Sequence, residues 1–119
     1  MSVRFKFENL LVWKNAMDFG EDVNIMVANF PGEEKYNLSS QARRAADSVA
    51  LNLAEGSIGH TNKEFKRFLG FSIRSLAEVV TCLHKAKRRN YIDGNEFNQK
   101  YGDAYNLMNM MIGLRNKLQ

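Results

Sequence analysis

The chain is poor in the residues that most metal and disulfide chemistry requires. Its 119 residues include one cysteine and two histidines. A single cysteine, Cys82, excludes an internal disulfide framework and fits a reducing compartment. Together with His60 and His84 it gives no zinc-binding pattern, and the Glu-x-x-His motif of di-iron bundles does not occur. We therefore predict no metal and no other cofactor.

Long apolar runs are also missing. No stretch approaches the roughly 18 residues that a membrane span needs. Residues 1–17 lack the continuous apolar segment and the small-residue cleavage site of a signal peptide. We therefore expect a cytoplasmic protein with no membrane partner.

Catalytic and β-sheet patterns are absent as well. The sequence has no Gly-rich phosphate loop and no serine-triad signature. No segment alternates apolar and polar residues with a period of two. These absences favour an all-α protein that is not an enzyme, with no catalytic residue.

The composition is that of an ordinary globular domain. Hydrophobic residues make up 45% and charged residues 25%, and the formal net charge is +4. The length predicts one domain over residues 1–119. The modest basic excess permits an acidic partner such as nucleic acid but does not require one.

Apolar residues recur every three or four positions in four segments, which is typical of amphipathic helices. The first helix is expected at residues 9–29, and the break after it falls at Phe30 and Pro31. The second is expected to start at Ser39 or Ser40 and to stop at Gly56, and Tyr36 and Leu38 should anchor the loop before it. Thr61 and Asp93 can cap the third and fourth helices. Short connections favour an antiparallel up-down-up-down four-helix bundle.

A mixed stripe on the second helix is the most informative local feature. At about 100° per residue, five polar residues fall within an arc of roughly 80°, with Leu51 at its edge; they are Gln41, Arg44, Ser48, Asn52 and Glu55. We interpret four of them as a structural or interface network: Arg44, Ser48, Asn52 and Glu55. The alternatives are a solvated face and a ligand or catalytic site. Arg44 or Arg74 would be a natural ion-pair partner for Glu55.

A basic ridge on the third helix is the candidate nucleic-acid site. Five cations lie within about 60° of one another and a sixth lies beside them; they are Lys63, Arg67, Arg74, Lys85 and Arg88, with Lys66. Phosphate contact needs such a surface and no base code. The alternative is a solvated face on which Glu64 and Glu78 pair locally.

Two further features could contribute to nucleic-acid binding, but we expect each to have a simpler structural role. The basic run at residues 85–89 suits a helix C-terminus. The tryptophan and the four tyrosines could stack on bases, although aromatics at helical spacing usually serve the core or an interface; they are Trp13, Tyr36, Tyr91, Tyr101 and Tyr105.

Four segments, in the same order along the chain, resemble segments of a known family. They are Phe7–Ala16 with Val12-Trp13-Lys14, Phe30–Gln41 with Pro31, Glu34, Tyr36 and Leu38, the run from Arg43 to Gly56, and Lys63–Glu78 with Phe65, Phe68 and Leu69. Together they resemble the 23S rRNA intervening-sequence proteins, a four-helix-bundle family that also includes the accessory variability determinants of diversity-generating retroelements.

The resemblance implies an antiparallel four-helix bundle that assembles as a homopentamer and has no enzymatic activity. For the retroelement members it implies nucleic-acid binding through a basic surface and association with a reverse transcriptase. We therefore expect an oligomer that binds RNA or DNA, or that assists a nucleic-acid-processing partner. The alternative is a structural or protein-interaction oligomer without nucleic-acid binding.

Overall fold

The computed structural model describes residues 4–118; residues 1–3 and 119 at the ends of the predicted domain lie outside it. Four α-helices make up most of this part of the chain. They are α1 (Leu11–Val27), α2 (Leu38–Ser57), α3 (Asn62–Arg88) and α4 (Gly94–Lys117). Short 3₁₀ segments at Lys6–Asn9 and Gly32–Glu34 precede α1 and α2. No strand occurs among the described residues, so the predicted all-α class is confirmed.

The helices form a four-helix bundle in which each contacts two neighbours. Helix α2 packs against α1 and α3, and α4 packs against α3 and α1. The connections between α2, α3 and α4 are only a few residues long, so successive helices run in opposite directions. Because α2 and α4 each pack against both α1 and α3, helices α1 and α3 lie on opposite corners of the bundle. The charged side chains on their outer faces are therefore far apart.

The predicted apolar faces form the core. Val23, Val49, Leu69, Leu76 and Met111 are all fully buried. The facing side of α2 is rich in alanine, which allows the backbones of neighbouring helices to approach closely. Burial of these faces is the main stabilising term, since most of the stability of a helix in a protein comes from the packing of its apolar face.

Two of the predicted helix caps are confirmed. The Thr61 side chain accepts a hydrogen bond from the Glu64 backbone at 3.1 Å, and Asp93 accepts one from Glu96 at 2.8 Å. The predicted start of α2 is wrong by one or two residues. The helix begins at Leu38, and Ser39 is buried in its first turn, where it packs and does not cap.

The predicted role of Gly56 is also wrong. It lies inside α2, which ends at Ser57. A Cβ at this position would lie 2.7 Å from Cβ of Phe68. Glycine is needed here because α3 crosses α2 too closely for a side chain.

The connection between α1 and α2 is held by a buried carboxylate. Glu34 is only 6% exposed and accepts hydrogen bonds from Tyr91 Oη at 2.7 Å and Arg89 Nη1 at 2.8 Å. Asn37 and the Leu38 backbone also donate to it, at 3.1 and 3.4 Å. Leu38 is buried as predicted, but Tyr36 is 88% exposed, so its predicted anchoring role is wrong. The anchor is Glu34.

The Glu34 contacts depend on how α3 ends. Asn90 has a φ of 62°, and the Tyr91 amide donates back to the Ala86 carbonyl at 2.9 Å. This is a Schellman ending, with asparagine in the left-handed position. It turns Arg89 and Tyr91 towards Glu34, and the hydrogen bond from Tyr91 is the main reason that the pKa of Glu34 is lowered.

Candidate nucleic-acid interface

The basic ridge occupies the outward side of α3. The five cations that define the ridge are all exposed, and Lys66 beside them is half-buried; the five are Lys63, Arg67, Arg74, Lys85 and Arg88. The helix has 27 residues, which corresponds to about 40 Å. The side chains face solvent because the opposite side of α3 carries the buried Phe65, Leu69, Leu76 and Leu83.

The ridge cations are not neutralised within the described part of the chain. The ion pair found there joins Arg89 to Glu34 at 2.8 Å and involves no ridge residue. Glu64 and Glu78, the two acids of α3, therefore form no ion pair with the ridge cations in this part of the chain. The Arg67 guanidinium lies over the rings of Phe68 and Phe71, 5.7 and 5.5 Å from their centroids. Stacking of this kind holds an arginine in place without removing its charge.

Charge is distributed unevenly over the bundle. Helix α3 carries seven basic and two acidic residues. Helix α1 carries one lysine and three acids, and two of these acids, Asp18 and Asp22, face Asp103 of α4 across a shallow groove. Since α1 and α3 lie on opposite corners, the acidic groove and the basic ridge point away from each other.

The centre of the α2 stripe forms hydrogen bonds with α3. Ser75 Oγ on α3 donates to Ser48 Oγ at 2.8 Å, and Asn52 Nδ2 donates to both oxygens of Ser48 at 2.9 Å. Nearby, Ser72 Oγ donates to the Val49 carbonyl at 2.8 Å. These bonds satisfy polar groups in a half-buried position. Ser48 and Asn52 thus form hydrogen bonds within one chain, and their role as an interface network stays a prediction.

The ends of the stripe lie outside this network. Arg44 is exposed and its Nε donates to the Ser40 carbonyl at 3.4 Å. Glu55 is exposed and forms no ion pair with a described residue, so neither Arg44 nor Arg74 pairs with it in this chain. An interface role for Arg44 and Glu55 stays a prediction.

An apolar groove lies between α1 and α2 beside the stripe. It measures about 440 Å³, and its walls include the half-buried Trp13 and the exposed Met17 and Leu51. Leu51 is 62% exposed. Glu21 and Asp47 lie on the same groove.

Other site chemistry has little basis in the described residues. No group of three or more His, Cys, Asp or Glu side chains within residues 4–118 could hold a metal ion. Cys82 is buried, and burial is the main cause of the raised pKa of its thiol. His84 packs edge-on against Phe97, with 4.9 Å between ring centroids. No described helix is both long and apolar enough to cross a membrane.

The fold is that of an all-α four-helix bundle, and comparison with known proteins identifies its family. Residues 8–113 match the family model of the 23S rRNA-intervening sequence protein, so the chain belongs to that family. No curated protein matches the chain. A crystal structure of a protein with unknown function from the S23 ribosomal protein family of Bacteroides thetaiotaomicron superposes with a TM-score of 0.83. It is 18% identical, and the match covers 90% of this chain and 96% of that one, which supports the fold alone.

Proposed function

We propose that this protein is a non-enzymatic oligomer that binds RNA or DNA electrostatically through the basic ridge of α3. The observation that carries the proposal is a row of five exposed cations without an ion-pair partner among the described residues. Phosphate contacts of this kind are independent of sequence and dominate nonspecific affinity.

The length of the ridge suits a nucleic-acid backbone. From Lys63 to Arg88 the helix rises about 37 Å, close to one turn of duplex, which is roughly 34–36 Å. The cations form two groups with Arg74 between them. About 16 Å separates Arg74 from Lys85, where Ala77 and Thr81 face outward. A flexible single strand or a curved duplex can contact both groups.

Assembly would multiply this surface. The exposed Leu51 and Met17 beside the α1–α2 groove are better buried than solvated, at about 25 cal/mol per Å² of apolar surface. Together with the exposed Glu55 they support an interface between copies, and the family resemblance suggests a homopentamer. Glu55→Ala should then lower the oligomer mass in light scattering at micromolar concentration, and an unchanged mass would remove Glu55 from the interface.

Within cells such an oligomer would act as an accessory to a nucleic-acid-processing protein. A reverse transcriptase is the partner that the retroelement branch of the resemblance suggests. The position of the gene, inside a ribosomal RNA gene or beside a reverse transcriptase gene, would separate the two branches. In either branch the cellular setting of the proposal is the cytoplasm.

Charge reversal tests the proposal. Arg67→Glu with Arg74→Glu should abolish binding of a labelled mixed-sequence RNA or DNA in fluorescence anisotropy. Lys14→Glu with Lys117→Glu is the matched control, because both positions are exposed, lie off α3 and change the net charge equally. The control should keep most of the affinity.

An equal loss of affinity in both double variants would mean that the net charge of the protein, and not the ridge, determines binding. Absence of binding in the unmodified protein would favour the second candidate, a structural or protein-interaction oligomer. The exposed apolar side chains at the α1–α2 groove favour that candidate independently of the ridge.

A further inference from the structure

Two tyrosines on α4 are exposed beside the ridge, although their helical spacing predicted a core or interface role. Tyr101 is 42% exposed and Tyr105 is 60% exposed. They stand one turn apart on the same face of α4. Between α4 and α3 they line a cleft of about 240 Å³, which we call the tyrosine cleft; its other walls include Ala77, Val80, Ala104 and Met108.

The cleft runs along the ridge. Ala77 on its α3 wall lies one turn after Arg74 and two turns before Lys85. At the end nearest Lys85, His84 bridges the two helices, with its ring 4.9 Å from Phe97 and 6.3 Å from Tyr101. Lys87 Nζ lies 4.7 Å from the centre of the Phe97 ring. Cations therefore lie before and after the cleft along α3, Arg74 on one side and Lys85 and Lys87 on the other.

The Tyr101 ring is 42% exposed, and Phe97 restrains its orientation. The two rings stack with 5.6 Å between centroids and 28° between planes. Phe97 is itself buried. A ring fixed in this way loses little side-chain entropy when a ligand stacks on it.

The distribution of charge around the cleft is compatible with the binding of a polyanion. The two acids of α4, Glu96 and Asp103, lie about 140–180° away from the tyrosines around the helix. Asp103 lines the groove shared with α1 instead. A phosphate chain is thus repelled from the α1 side of α4 and attracted to the α3 side.

From these observations, and given the proposed function, we propose that the tyrosine cleft binds unpaired bases of single-stranded RNA or DNA while the ridge holds the backbone. Bases stack on Tyr101 and Tyr105, one on each ring. The cleft is below the roughly 300–1,000 Å³ of a typical small-molecule pocket, so it suits a planar ring at its mouth better than an enclosed cofactor. Duplex bases are already stacked and paired, so a duplex gains only the phosphate contacts.

The test compares a labelled oligouridine, a duplex of equal charge and an abasic strand of equal length, by anisotropy at one salt concentration. Tyr101→Ala and Tyr105→Ala should each weaken oligouridine binding about fivefold or more, and leave duplex and abasic binding within about twofold. Tyr101→Phe and Tyr105→Phe keep the ring and should keep the affinity. Tyr36→Ala, at the exposed tyrosine of the α1–α2 connection, is the matched control and should have no effect.

The remaining outcomes separate this inference from the proposed function. If binding requires Arg67 and Arg74 but ignores both alanine variants, the ridge proposal stands and the cleft proposal falls. The cleft proposal also falls if these variants change oligomer mass in light scattering while strand affinity stays the same, because the face is then an interface between copies. Tyr105 makes no ring pair with a described residue, so its variant decides the matter even if Tyr101→Ala fails to fold.

Discussion

Gly56→Ala tests the close crossing of α2 and α3. The added Cβ would meet Phe68 Cβ at 2.7 Å and Phe65 Cδ1 at 3.0 Å, both below ordinary contact distance. Overpacking of this kind costs about 1–3 kcal/mol. The gain in helix propensity of up to about 1 kcal/mol is small here because Gly56 lies in the last turn. We expect a net loss of about 1–2 kcal/mol, which lowers Tm by roughly 4–8 °C for a chain of this length.

Gly102→Ala is the matched control. Gly102 lies in the middle of α4, and a Cβ there would meet nothing within 4 Å. Propensity alone should then raise stability by about 0.5–1 kcal/mol. Thermal unfolding followed by circular dichroism, at one protein concentration, should move the two variants in opposite directions. A Gly56→Ala protein that melts at or above the unmodified temperature would refute the close-approach argument.

Three further predictions concern buried polar groups. The pKa of Glu34 is lowered, above all by the hydrogen bond from Tyr91, so its contribution to stability is complete above its unfolded pKa of about 4.5 and is lost as pH falls through the folded pKa. Glu34→Gln should therefore lower Tm at pH 7 and flatten the decline of Tm below pH 4.5. An unchanged dependence of Tm on acid pH would contradict this. Ser72→Ala removes the bond to Val49 and should cost about 0.5–1.5 kcal/mol in denaturant unfolding, whereas no loss would mean that the bond contributes nothing. The buried Cys82 thiol should react with iodoacetamide only after unfolding in guanidinium, and fast labelling of the native protein would contradict its burial.

The sequence determines the helices where local signals suffice. Apolar periodicity identifies all four helices, and Thr61 and Asp93 cap α3 and α4 as their spacing predicts. The predictions are wrong where contact with a neighbouring helix or loop determines the role of a residue. Gly56 resembles a helix stop, but the crossing with α3 requires it. The role of Tyr36 in the loop is taken by Glu34, whose partners Arg89 and Tyr91 lie 55 and 57 residues away.

The candidate site was predictable to a similar extent. Exposure of the ridge follows from its position opposite the apolar face of α3. The pairing of Ser48 with Ser75 depends on the register of α2 against α3, which a single sequence does not reveal. The exposure of Tyr101 and Tyr105 could not be read from spacing, because a core face and a cleft edge share the same period of 3.6 residues.

The most direct test of nucleic-acid binding through the ridge is the slope of log affinity against log salt for the unmodified protein. Contact by five ridge cations predicts a slope per subunit of about −3.5 for a single strand and about −4.5 for a duplex. Affinity for a single strand should then fall roughly a hundredfold between 50 and 200 mM salt. A slope near zero, or binding that persists unchanged at high salt, would contradict phosphate contact by the ridge.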